Sequence, residues 1–188
     1  SHSPVGMEYT YHKKPEKMLG WIAEAVEAAC KTGMEVEFCA LDATRAEETF
    51  LKEALAAAIA AGATVFSLCD DAGQMMPDDF AAFAEQTAES AGITVGVHCS
   101  NRSGFACAAA ALAVRREHVS GVKTSVGGDG VPLETFADMM QNCGSHYRLS
   151  DGIRHTELHR VVRQIGWIAA HSGQEKAAVP AASGDGMP

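Results

Sequence analysis

Three segments of this chain share one layout, a helical alanine-rich stretch, a glycine, and a short β-branched run that ends in polar residues. They read Gly33-Met-Glu-Val-Glu-Phe-Cys-Ala-Leu-Asp42, Gly62-Ala-Thr-Val-Phe-Ser-Leu-Cys-Asp-Asp71 and Gly92-Ile-Thr-Val-Gly-Val-His-Cys-Ser-Asn101. The glycines stand 29 and 30 residues apart. That period is the length of a βα unit: a buried parallel strand, a polar loop, a helix of three to four turns and a glycine C-cap. Such folds carry their chemistry at the C-terminal ends of the strands, where these polar clusters fall.

The remaining elements follow from periodicity. Met18, Leu19, Ile22, Val26 and Ala29 repeat at helical spacing over residues 14–31, with Pro15 suited to the first turn. Further helices are expected over 46–61, 78–90 (opened by Pro77), 104–117, 133–142 and 153–171, and a fourth strand over 119–125. Between that strand and the next helix lies Val126-Gly-Gly-Asp-Gly-Val-Pro-Leu-Glu134, whose glycines permit close approach to a ligand. Residues 173–188 have no apolar periodicity and read as a disordered tail, which leaves one domain over 1–172.

Composition narrows the function classes. The net charge of −9 provides no basic footprint for nucleic acid and no polybasic patch for a membrane. The longest apolar stretch, 54–69, is broken by Gly62 and reads as helix, turn and strand, not as a span. No signal peptide is visible, and the six cysteines form no CxxC pair, so reduced thiols in a cytoplasmic protein are expected. Four βα units are half of a closed (β/α)8 barrel, which typically needs about 250 residues. The chain starts at Ser1 without methionine, and 3–14 reads as a loop leaving an earlier strand, as in a fragment of a longer protein.

Met7-Glu-Tyr9 with Lys14-Pro-Glu-Lys-Met18, Val36-Glu-Phe-Cys-Ala-Leu-Asp-Ala-Thr-Arg45, Asp70-Asp-Ala-Gly73, Val97-His-Cys-Ser-Asn101 and Gly104-Phe-Ala106 occur in a consistent order and spacing. Together they resemble the second half of the isopropylmalate synthase, homocitrate synthase and hydroxymethylglutaryl-CoA lyase superfamily, whose patterns are FSxEDATR, DTxG, HxHND and GxA. The resemblance covers about residues 3–134. It implies an α/β fold, the second half of a TIM (β/α)8 barrel with C-terminal helices. It also implies a divalent cation (Mg, Mn or Zn) that polarises a 2-oxo acid for condensation with an acyl-CoA, or supports the reverse cleavage. By the same resemblance His98 is a metal ligand and Ser100 stands in the place of the second ligating histidine; Ser100 and Asn101 are candidates for substrate binding.

The match has gaps. Ser100 stands where the pattern has its second histidine, Arg102 where it has aspartate, Cys39 and Leu41 where it has serine and glutamate, and Asp71 where it has threonine. The aspartate and arginine of the family's first strand would lie upstream of Ser1, and the late asparagine ligand has no counterpart in Gly127-Gly-Asp-Gly130.

If His98 faces inward, two-residue parity brings Cys39, Cys69, His98 and Asp71 to one rim. Thiolate, imidazole and carboxylate suit a softer ion such as Zn²⁺, and Cys39, Cys69 and Asp71 are then candidates for catalysis. The alternative is that both cysteines simply pack the barrel interior. Gly127 and Gly128 are candidates for a phosphate cradle or a plain flexible loop. Lys123 is a candidate cation of undetermined parity. His155 and His159, four apart around Glu157, lack the HExxH order and suit a solvated or intersubunit helix face. Asp42 and Arg45 are expected to orient their own loop and cap the following helix, and Met75 and Met76 to pack at the barrel mouth.

Two functions remain: a diverged carbon–carbon bond-forming or bond-cleaving enzyme, or a catalytically inactive barrel subunit that supports a partner. The partner is a second barrel-half chain or, if exposed strand edges pair between copies, a homodimer.

Overall fold

The structure is a computed structural model and describes residues 14–172. The expected tail over 173–188, the upstream loop and the Met7-Glu-Tyr9 motif lie outside the described residues. In chain order the elements are α1 (Pro15–Cys30), β1 (Glu37–Ala40), a 3-10 turn (Ala43–Arg45), α2 (Glu48–Ala60), β2 (Val65–Asp70), α3 (Pro77–Ala91), β3 (Val95–Cys99), α4 (Ala106–Ala113) and β4 (Val119–Val122). The short strands β5 (Thr124–Ser125) and β6 (Val131–Pro132) follow, then α5 (Leu133–Cys143), a second 3-10 turn (Gly144–Tyr147) and α6 (His155–Ser172).

The strands pair parallel in the order β1-β2-β3-β4. Right-handed crossovers between strands laid down in one direction put the connecting helices α2, α3 and α4 on the same face of the sheet. A doubly wound sheet would reverse direction and cover both faces; this one is an arc of a barrel. Phe38, Ala40, Phe66, Leu68, Val95 and Val97 point to the helices and are at most 8% exposed. They meet Ile22 and Val26 of α1, Leu51, Ala54 and Leu55 of α2, Phe80 and Ala84 of α3, and Ala110 of α4 in one core. Alanine on the helix faces lets helix and sheet approach closely, which explains why an alanine-rich sequence still buries its core. The repeating glycines all adopt positive φ (Gly33 +78°, Gly62 +103°, Gly92 +65°), the backbone that turns a helix end toward the next strand.

Three expectations are corrected. The helix expected over 104–117 ends at Ala113, because the chain is drawn into β4 by Glu85 of α3, which accepts from the His118 backbone N–H at 3.2 Å and contacts its Nδ1 at 3.0 Å. The strand expected over 119–125 divides at Lys123 into β4 and β5, and β5 pairs with β6 instead of β3. Asp42 does not cap α2, whose N-cap is Glu47; it sits at φ 59° and holds Arg45 through two bonds of 2.7 and 2.6 Å, which pins the 3-10 turn.

Met75 packs against the core, whereas Met76 is 53% exposed. No helix among the described residues is long and apolar enough to cross a membrane.

Candidate functional site

Alternation along the strands sets the inner face. Each strand sends one row to the helices, so Glu37 and Cys39, Ser67 and Cys69, and Gly96 and His98 point into the concave side. The register places Cys39 beside Ser67 and Cys69 beside His98. Barrel interiors are commonly filled by bulky branched side chains; here the row is small or polar.

Lys123 settles its parity by reaching inward. Its Nζ donates to Glu37 Oε2 at 2.7 Å, and Ser67 Oγ donates to Glu37 Oε1 at 2.6 Å. The ion pair ties the end of β4 to β1, the two edges of the arc. Burial pushes the Glu37 carboxyl up, but the bonds from Lys123 and Ser67 outweigh it and leave it below the ordinary value. The bond to Glu37 raises the Lys123 ammonium against the opposing effect of burial, so the pair is charged at neutral pH.

The thiols behave oppositely. Burial, with Asp71 adding to it, pushes Cys69 up to about 12, and burial with Glu37 raises Cys39. Both thiols are therefore disfavoured as thiolates, which argues against either as a ready nucleophile. All six cysteines are free thiols.

At the C-terminal rim the loops hold each other. Asp71 accepts from the Asp42 backbone N–H. Asp70 Oδ1 accepts from Thr44 Oγ1 at 2.8 Å and from the Gly73 N–H at 3.2 Å. The Gly-rich loop brings Asp129 over the end of β3, where it accepts from Ser100 Oγ (2.9 and 3.0 Å), the Asn101 N–H (2.7 Å) and Arg102 Nε (3.1 Å). The bond from Ser100 leads these in holding the Asp129 carboxyl below its ordinary value. Asn101 Oδ1 accepts from the Ala106 N–H at 3.4 Å, at the start of α4. Gly130 lies close over His98: a Cβ there would stand 3.2 Å from His98 Cε1 and 3.1 Å from Ser125 Oγ. Gly127 and Gly128 are exposed at positive φ on the same loop.

Cys39, Cys69 and His98 therefore share the concave face, and Asp71 lies beyond them, engaged with the β1 loop. Glu37, Ser67 and Asp129 complete the polar set and are absent from the sequence reading. Glu37 was accessible by the same parity that gave Cys39, two residues on; Asp129 sat between glycines already singled out. The HTELH helix serves elsewhere: His159 of α6 contacts Glu134 at 3.3 Å and Asp138 at 2.9 Å, and His155 contacts Asp151 at 3.4 Å.

The HMGL-like family model matches residues 1–165. The chain belongs to the HMGL-like family. It is 34% identical over 176 residues to the 2-isopropylmalate synthase of Solidesulfovibrio magneticus, a match covering 88% of this chain and 34% of that protein. It is 32% identical over 172 residues to the 2-isopropylmalate synthase of Pyrococcus furiosus, covering 87% and 34%. The chain thus spans about a third of the length of the curated relatives it matches. The HMG-CoA lyase of Brucella melitensis superposes with a TM-score of 0.70 at 15% identity, covering 84% of this chain and 61% of that one. The carboxyl transferase domain of Rhizobium etli pyruvate carboxylase gives 0.60 at 16% identity, covering 74% and 25%. These likenesses show the fold, a partial TIM barrel.

The cation that the family resemblance implies does not fit the residues of this HMGL-like chain. His98 is the one imidazole on the β3 rim. Ser100, in the second histidine's place, is 5% exposed, donates its proton to Asp129 and accepts from the Arg102 N–H at 3.4 Å. Among the described residues no three His, Cys, Asp or Glu side chains converge in a way that can hold a metal ion.

Proposed function

We propose that this chain is one half of an HMGL-like barrel in the cytoplasm, and that the completed barrel joins or breaks a carbon–carbon bond between a 2-oxo acid and an acyl-CoA. The observation that carries this reading is the arc itself. Its parallel strands stand in barrel order with the connecting helices on one face, its polar rim lies at the strand ends where barrels act, and β1 and β4 are edges among the described residues. The complementary half would pair with those edges. His98, Ser100 and Asn101 are this chain's contribution to the substrate mouth, with Asp71, Cys39 and Cys69 beside it and Gly127 and Gly128 on the loop above. With their thiols disfavoured as thiolates, Cys39 and Cys69 shape the cavity in this reading.

A second reading is a catalytically inactive half that supports a partner chain. It is favoured by the engagement of Ser100 with Asp129 and of Asp71 with the Asp42 N–H, which turns one candidate substrate-binding group and one candidate catalytic group toward the protein's own loops. A homodimeric barrel is less well supported, because two copies would line one interior with small and polar residues only.

Co-expression with the N-terminal barrel half of a 2-isopropylmalate synthase separates the readings. The first expects a co-purifying complex that releases CoA thiol from acetyl-CoA when a 2-oxo acid is present, and loses that release in His98→Ala. A stable complex with no release for any 2-oxo acid tried would leave the supporting role.

A further inference from the structure

We propose that in this chain the β3 rim is held by an internal carboxylate latch, with Asp129 as its centre, and takes no divalent cation. This inference rests on the proposed function only for the location of the rim.

The latch is a set of donors drawn from three consecutive residues onto one side chain. Ser100 gives a hydroxyl, Asn101 a backbone N–H and Arg102 a guanidinium N–H, and both oxygens of Asp129 are used. Charge-assisted bonds of this kind are the stronger ones. Each departure from the family pattern at this strand end fits the arrangement. The Ser100 hydroxyl reaches both oxygens of Asp129 at 2.9 and 3.0 Å, and an aspartate at position 102 would repel Asp129, where Arg102 pairs with it at 3.1 Å. Gly130 carries the same logic one residue on. Without a Cβ the loop lies against His98 Cε1, and the imidazole on this rim is half-buried.

A cation at this strand end would have to draw Ser100 and Asp129 away from the bonds they make with each other and with Asn101 and Arg102. The hydroxyl already donates to one partner and accepts from another, and a neutral hydroxyl is a poor replacement for imidazole. The substitutions at 100 and 102 are thus read as one coordinated change, in which a bond network inside the protein takes over the shaping of the loop that a metal would otherwise provide.

The test uses the whole chain. Native mass spectrometry and calorimetric titration with Mn²⁺ and Zn²⁺ should show no stoichiometric ion, and EDTA should leave the melting temperature unchanged. Retention of one ion per chain, lost together with thermal stability on EDTA treatment, would overturn the proposal. Hydrogen exchange then reads the latch directly. In Asp129→Ala the Asn101 amide should exchange about two- to fivefold faster, since the bond removed is to a carboxylate that water screens, while the β2 amides keep their rates. Should that variant not fold, Arg102→Ala leaves the carboxylate in place and should speed exchange at Asn101 by a smaller factor. Unchanged exchange in a folded Asp129→Ala protein would refute the latch. Activity of a complemented barrel bears on the proposed function alone, whereas ion retention and Asn101 exchange bear on the latch alone.

Discussion

The two faces of the same strands obey different rules. On the helix side Phe38, Leu68, Val95 and Val97 are at most 8% exposed among alanines, and close packing is what they contribute. One residue away on the inner side, Glu37, Cys39, Ser67 and His98 hold hydroxyl, thiol, imidazole and carboxylate groups, and what they contribute is direction: which loop meets which strand end. The helix face makes the arc stable; the inner face makes it specific. A sheet of this kind tolerates chemical change inside the barrel far better than volume change outside it.

The sharpest way to break that comparison is a pair of substitutions on neighbouring strands. Leu68→Ala should cost about 2–5 kcal/mol, because a fully buried side chain leaves a cavity that the alanine-lined helices cannot fill. Cys39→Ala, half-buried on the inner face, should cost no more than about 1 kcal/mol, the worth of little more than one buried methylene-sized group. Urea unfolding of both variants decides it. Equal losses would mean that the inner face is packed as a core and that the distinction drawn here is empty.

A finer test concerns the ion pair that crosses the arc. Glu37 and Lys123 are 86 residues apart in sequence and meet at 2.7 Å, with side chains 32% and 40% exposed. Water screens a pair of that exposure, so a double-mutant cycle of Glu37→Gln and Lys123→Ala should give a coupling of about 0.5–1 kcal/mol, no larger. The coupling should shrink with added salt. A coupling of several kcal/mol would instead mean that the inner face carries the stability of the arc.

What was legible in the sequence follows the same division. The helix face repeats, so the glycine period, the two-residue parity that sets Cys39, Cys69 and His98 on one face, and the parallel strands were all readable locally, and the barrel arc followed. The inner face depends on partners far along the chain. Ser100 meets Asp129 across 29 residues and Lys123 meets Glu37 across 86, and nothing in the local pattern pairs them. The overlong α4 has the same cause. Val114 to Glu117 continue an acceptable helical pattern, and the partners that hold His118 in place of another helical turn are distant ones, Glu85 on α3 and the Val95 N–H on β3.

The smallest effect lies farthest from the arc. None of the side chains of α6 is buried, and its polar link to α5 is His159, set between Glu134 and Asp138. The hydrogen bond to Glu134, then that to Asp138, raises the imidazole above its ordinary value. A group whose pKa is raised by folding stabilises the folded state fully below its unfolded pKa, and that contribution disappears as the pH climbs through the folded value. The docking of α6 should therefore weaken from about pH 6.5 upward, the ordinary histidine value. An NMR titration of the His159 ring should give a midpoint above that of a free histidine, and α6 amides should exchange faster on the alkaline side of it. In His159→Gln that pH dependence should vanish while the urea midpoint of the arc stays put, since α6 hangs on the barrel wall and Leu68 does not depend on it. If the wild-type ring titrates as a free histidine does, the clamp holds nothing, and α6 is attached to α5 by its apolar contacts alone.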